Sequence, residues 1–352
     1  MRLAYAPYRL CFKEPAGTSR GVMRLKQTCF IKVFDEADPS RFGIGEAAVF
    51  EGLSAEAGRG YELKLIELLA NMALGRQTDL SRHSSIQYGL EQALLNFSTG
   101  CGGLYFPSPF TEGKTDIIIN GLVWMGDFDT MMKRIDSKVS EGFSCIKLKV
   151  GAIDWHSELE MVKSIRSRFS ESQLQIRVDA NGGFNMDNAL PRLKALADLG
   201  VHSIEQPIPA GYPELMRFLC EVSPLPIALD EELIGRCSTE EKAAVLDAIS
   251  PAYIILKPAL CGGFSGAQEW IKLASERNIG WWVTSALESN VGLSALAQWT
   301  ATLGNPMPQG LGTGQLFTNN FESPVFLEGE HLRCLPGAPL NHVQFESLQW
   351  RQ

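Results

Sequence analysis

The sequence has no long apolar run, no basic block and no cysteine pair spaced for a metal or redox centre. Its nearest approach to a membrane span is LKLIELLANMALG (63–75). Lys64 and Glu67 interrupt it well short of the roughly 18 apolar residues that a span needs. Lys and Arg total 32 against 40 Asp and Glu, a net charge of −8, with no Lys/Arg stripe. That balance argues against nucleic acid and anionic membranes as partners. The eight cysteines form no CxxC, and Cys29 and Cys145 sit in apolar runs, the pattern of reduced, buried thiols. The five histidines match no ligand spacing. The opening MRLAYAPYRL lacks the charged-then-apolar pattern of a secretory signal, so we expect a cytoplasmic protein. With 352 residues, 45% of them hydrophobic, the chain can bury a large core without staples.

Residues 1–52 carry strand-like runs, YRLCFKE (8–14), MRLKQTCFIKVFDE (23–36) and GIGEAAVFE (43–51), and 56–98 carry helical spacing. This predicts an α+β unit over 1–114. From about residue 115 short apolar runs alternate with amphipathic helices. The polar residues that close the runs are Asn120, Lys149, Asp179, Glu205, Asp230, Lys257, Ser285 and Gly312, at gaps of 29, 30, 26, 25, 27, 28 and 27. Eight near-equal periods predict a closed (β/α)-type barrel over 115–314. The remainder, 315–352, reads as a tail that packs back on the N-terminal unit.

In a closed barrel, functional groups gather at the C-terminal strand ends. Here these read, in strand order, Lys149, Asp179, Glu205, Asp230 and Lys257. Three carboxylates converging on one mouth repel each other unless something neutralises them. A hard divalent cation with oxygen ligands answers that need, Mg²⁺ first and Mn²⁺ as a substitute. Glu231 points away from Asp230 on an extended strand and reads as support rather than ligand. Lys147 and Lys149 share a strand face, and Lys257 comes from four strands further round. An amine held neutral there acts as a general base. Two lysines flanking a bound carboxylate is the layout for proton abstraction beside that carboxylate. Lys147 reads equally as a salt-bridge partner.

Weaker candidates are Arg177, for substrate contact or carboxylate neutralisation, and Ser285, Glu288 and Ser289, for shaping the pocket or holding a distal carboxylate. Gly263 follows Lys257 and would let backbone approach the substrate. The segment AGTSRGVMR (16–24) reads as a lid or a plain hairpin turn.

These residues resemble the enolase superfamily. KxK (Lys147, Lys149), DxN (Asp179, Asn181), EQP (Glu205), DE (Asp230, Glu231) and KP (Lys257) occur in that family's order and spacing. The resemblance implies a (β/α)7β TIM-like barrel with an α+β capping domain formed by the N-terminal region and the C-terminal tail. It also implies Asp179, Glu205 and Asp230 as metal ligands, Lys149 and Lys257 as acid/base groups, and Lys147, Asn181 and Glu231 as their support. Lysine at both acid/base positions is similar to the muconate-lactonizing subgroup. Within it, IILKPALCGGF, TSALESNVGL and GLGTGQLF resemble o-succinylbenzoate synthases. That implies dehydration of a cyclohexadiene carboxylate, a small-molecule carboxylate substrate. N-acylamino acid racemases and dipeptide epimerases share the same lysines and ligands and stand as the alternative. One departure is Glu232, where the family pattern ALDES has serine. Oligomeric state is not legible.

Overall fold

A computed structural model describes residues 1–18, 21–100, 102–124, 126–151, 154–337 and 342–352. Three antiparallel strands open the chain, β1 (Arg2–Thr18), β2 (Gly21–Phe34) and β3 (Phe42–Ala47), in the order β1-β2-β3. The helices α1 (Tyr61–Ala73) and α2 (Ser84–Ser98) follow. The sequence pattern places the first strand at 8–14, whereas β1 begins at Arg2 and runs through Pro7. Proline is tolerated there because β1 is the edge strand of its sheet, with β2 on one side and, among the described residues, only single-residue bridges at Tyr5 and Phe12 on the other.

All six residues of β3 are buried. Small residues make this possible. A Cβ at Gly45 would lie 1.9 Å from the Gly89 carbonyl of α2, and one at Gly43 would lie 2.2 Å from the Ala93 carbonyl. Backbone meets backbone there, so Gly45→Ala must push α2 off the sheet. We expect a loss of about 3 kcal/mol, the upper end of ordinary overpacking, read as a fall in unfolding temperature. A melting curve unchanged from wild type would contradict this packing account.

The barrel strands are β5 (Gly121–Val123), β6 (Cys145–Lys149), β7 (Gln175–Asp179), β8 (Ser203–Glu205), β9 (Ile227–Leu229), β10 (Tyr253–Leu256) and β11 (Gly280–Val283). They lie in parallel, each beside the next. Two single-residue parallel bridges, Thr284 with Gly310 and Ile119 with Gln309, bring in an eighth segment and close the ring. After the seven strands come α3 (Phe128–Ser140), α4 (Trp155–Arg168), α5 (Ala189–Ala197), α6 (Pro213–Val222), α7 (Thr239–Ile249), α8 (Gly263–Ser275) and α9 (Asn290–Thr302). The result is the (β/α)7β order, capped by the N-terminal sheet.

Local chemistry sets the helix starts. Asp154 caps α4 by accepting from the Ser157 amide, and Ser238 with Glu241 forms a full capping box on α7. The sequence offers Asn185 or Asp187 near the start of α5. The structure places the cap at Asn188, while Asn185 accepts from the Asp187 and Asn188 amides just ahead of it.

The first apolar run, DIIIN, also divides. Its residues Ile117–Ile118 form β4, which pairs antiparallel with β13 (His331–Cys334) beside β12 (Val325–Glu328). The barrel strand proper begins at Gly121. A short helix, α10 (His342–Glu346), carries Phe345 onto Phe30 and Phe321, and Arg351 bridges to Tyr5 of β1. Among the described residues from 325 on, β13 therefore joins the strand that leads into the barrel, while Phe345 and Arg351 touch the cap. Among the described residues, no helix is long and apolar enough to cross a membrane.

Candidate active site

The alternation of apolar and polar residues that makes β6 and β7 also aims their charges inward. Ile146, Leu148, Ile176 and Val178 are buried in the main apolar core, so their neighbours face the barrel interior. Register then assembles the mouth. Lys149 lies opposite Asp179, and Asp179 opposite Glu205. Asp230 and Lys257 are the first residues beyond β9 and β10. The three carboxylates are all at least 97% buried.

Carboxylates and ammonium groups interleave. Lys149 Nζ donates to Asp179 Oδ2 at 2.5 Å and to Asn181 Oδ1 at 2.7 Å. Lys147 Nζ donates to Glu205 Oε2 at 2.7 Å and lies 3.2 Å from Asp179 Oδ2. Lys257 Nζ donates to Asp230 Oδ2 and lies 3.7 Å from Glu205 Oε1. Burial alone raises a carboxyl pKa, but Lys149, Lys147 and Lys257 more than reverse this for Asp179 and hold it far below the usual range. Glu205 is pushed up to about 7 by burial and by the Asp179 charge. Burial also raises Asp230, against the pull of Lys257. Burial lowers Lys147 and Lys257, yet the surrounding carboxylates leave both raised.

Among the described residues, no three His, Cys, Asp or Glu side chains are grouped to hold an ion as they stand. Each carboxylate is instead engaged by a lysine. The donor chemistry nevertheless fits a hard cation. Three carboxylates end three adjacent strands, and Glu205 Oε1 has no hydrogen-bond partner although it is fully buried.

Support comes from the loops after β7 and β9. Asn181 adopts φ +44°, in the left-handed region, and its Oδ1 accepts a hydrogen bond from Lys149 while its Nδ2 donates to Glu231 Oε1 at 3.1 Å. Glu232, the departure noted above, is buried and accepts from the Gly211 amide at 3.1 Å, tying the end of β9 to the loop after β8.

Over this layer sits a cavity of about 330 Å³. Lys147, Lys149, Asn181 and Lys257 line its floor, and the cap contributes Val22, Met23 and Phe50. Ser19 and Arg20 of the lid-like segment 16–24 lie outside the described residues. Ser285 lines the cavity too, but its hydroxyl donates to Glu288 Oε2 and accepts from Thr313 Oγ1 and the Leu287 amide. It has no proton left for a substrate carboxylate.

Four of the weaker candidates do not line the cavity. Arg177 lies two residues below Asp179, donates to the Pro308 carbonyl at 2.8 Å and stacks on Trp282 at 4.2 Å. Gly263 starts α8 at φ +71°, against Glu91 and Gln87 of α2, so it serves cap–barrel contact. Glu288 and Ser289 lie behind the wall. Ser289 caps α9, and its amide and hydroxyl donate to Glu46 of β3. The lining residues Phe50, Trp124, Thr284 and Thr313 carry no charge; Thr284 and Thr313 fall within the runs TSALESNVGL and GLGTGQLF, but nothing in the sequence marked any of the four individually as a wall residue.

The family model for the enolase C-terminal domain-like group matches residues 130–338. An o-succinylbenzoate synthase of Desulfotalea psychrophila is 45% identical over 94% of this chain and 98% of its own length. The crystal structure of MenC from Desulfotalea psychrophila superposes with a TM-score of 0.80 at 42% identity, covering 95% of this chain and 99% of that one. A muconate lactonizing enzyme from Pseudomonas fluorescens shares the fold, with a TM-score of 0.80 at 22% identity over 98% of this chain and 97% of that one. With its barrel matched and its near full-length relative in hand, the chain belongs to the enolase superfamily.

Proposed function

We propose that the protein dehydrates 2-succinyl-6-hydroxy-2,4-cyclohexadiene-1-carboxylate to o-succinylbenzoate, a step of menaquinone synthesis, in the cytoplasm. The observation that carries the chemistry is the pair Lys149 and Lys257, set on strands four apart over three buried carboxylates. The choice of substrate rests on the near full-length relative.

Asp179, Glu205 and Asp230 would hold a divalent cation, Mg²⁺ or in its place Mn²⁺. When bound, that cation supplies positive charge against the substrate carboxylate as electron density builds there. Lys149 in its amine form removes the proton α to the carboxylate. Lys257, held as an ammonium by Asp230 and Glu205, faces the developing enediolate from the other side. Asn181 fixes the Lys149 side chain so that its nitrogen meets the proton without a search over rotamers. The hydroxyl departs from the same face with the proton that Lys149 returns, a syn elimination. Formation of the aromatic ring drives the reaction downhill, so the site has mainly to position and to stabilise charge.

Wild-type protein with Mg²⁺ should convert the diene to o-succinylbenzoate, followed by the change in ultraviolet absorbance. In deuterium oxide it should leave N-succinylamino acids and dipeptides unlabelled at the α-carbon. Label incorporation without diene turnover would instead make the protein a racemase or epimerase.

A further inference from the structure

We propose that Asn120 and Thr284 form the subsite for the hydroxyl group that leaves during dehydration, an inference that rests on the functional reading above. The two side chains approach the cavity from either side of the closing segment 309–312. The Asn120 amide donates to the Gln309 carbonyl at 2.9 Å, and Thr284 bridges to Gly310. Both line the cavity, and both are more than nine-tenths buried. Among the described residues, neither Asn120 Oδ1 nor Thr284 Oγ1 has a hydrogen-bond partner.

No side chain of the intervening segment can fill that gap where it lines the cavity, because the residues there are Gly310 and Gly312. At Gly310 that bareness is required, because a Cβ there would lie 2.5 Å from Thr284 Oγ1. The wall is thus neutral and recessed, with one unmet acceptor and one unmet hydroxyl, and buried groups left so are penalised until a ligand answers them.

A ligand hydroxyl answers both at once. Its O–H donates to Asn120 Oδ1, and its oxygen accepts from the Thr284 hydroxyl. A ketone or carboxylate offers only acceptors and would leave Asn120 Oδ1 unmet. The proposed substrate carries one hydroxyl, and the product carries none. The location suits the chemistry as well, because Asn120 runs directly into β5, which pairs with the strand that bears Lys149. The α-proton passes to the Lys149 amine. The carbon–oxygen bond breaks with its electron pair on oxygen, and the Lys149 ammonium returns the proton. Water is formed between Asn120 and Thr284, where it keeps both hydrogen bonds. The aromatic product has no hydroxyl to donate to Asn120 Oδ1 and is held less tightly by this wall.

Steady-state kinetics on Asn120→Ala, Thr284→Val and Thr284→Ser, with o-succinylbenzoate as a competitive inhibitor, test the assignment. Asn120→Ala and Thr284→Val should each lower kcat/KM by about tenfold or more, the worth of one well-made hydrogen bond. Thr284→Ser keeps the hydroxyl and should stay within about threefold of wild type. The inhibition constant of the product should move by less than about twofold in every variant, which also reports an intact pocket. A product constant that rises in step with the loss of kcat/KM would overturn the proposal, as would undiminished turnover in Thr284→Val. Failure of the functional reading looks different, since the wild type itself would then leave the diene untouched.

Discussion

Lys149→Ala should lose at least about a thousandfold in kcat on the diene, near the upper end of what one acid/base group contributes. The expectation is high because the same nitrogen is assigned both proton transfers, first as base and then as acid. Lys149 is also the only one of the three floor lysines whose Nζ bonds both a carboxylate and a neutral amide, Asp179 at 2.5 Å and Asn181 at 2.7 Å. When Asp179 is engaged elsewhere, Asn181 Oδ1 still holds the side chain in place. Lys257 is placed differently. Carboxylates alone surround it, and they raise its pKa, which favours the ammonium form assigned to it. Lys257→Met should therefore also fail in turnover, whereas Asn181→Ala should lower kcat with little change in the product inhibition constant. Lys149→Ala with turnover within about tenfold of wild type would remove that residue from the mechanism.

Barrel and floor were legible in the sequence for one physical reason. A strand buried on its helix-facing side and charged on the other must read as apolar residues punctuated by charge. The stretches CIKLK and QIRVD do this at the spacing of a barrel, which led directly to Lys149 and Asp179. Equal spacing misled at the first strand. The run DIIIN has the right composition, but Ile117 and Ile118 are claimed by β13, whose sequence lies more than 200 residues further on. The walls were not legible. Phe50, Trp124 and Thr284 owe their position to loops and to cap–barrel docking, and their residue types are those of any core. The same holds for Ser289 and Glu288. Their proximity to the reactive strands drew attention, yet Ser289 meets Glu46, 243 positions away, in a contact that seals cap to barrel.

Removal of divalent cations should abolish turnover, by at least about a thousandfold or some 4 kcal/mol of lost charge stabilisation, and the loss should carry a pH signature. In the ion-free protein Glu205 titrates at about 7, well above its unfolded value of 4.5, and burial is the first cause. A carboxyl raised in this way stabilises the fold while it keeps its proton, and the contribution fades as pH rises through 7. Asp230 is raised and acts in the same direction. Asp179 is lowered, so its stabilising contribution is lost only in strong acid and stays constant across this window. Lys147 and Lys257 are raised above 10.5 and also stay constant. The ion-free protein should therefore melt at lower temperature at pH 8 than at pH 6 so far as this cluster decides it. An ion bound to the ionised carboxylates reverses that trend. Added Mg²⁺ should raise the melting temperature more at pH 8 than at pH 6. Its affinity, measured by calorimetry, should weaken by up to about tenfold per pH unit below 7, as a proton competes for Glu205. Glu205→Gln removes the competing proton together with a charge, and should eliminate the Mg²⁺-induced rise in melting temperature as well as turnover. Mg²⁺ affinity that is level from pH 6 to 8 would place the ion away from Glu205, and chelator-resistant turnover would separate the three carboxylates from metal chemistry altogether.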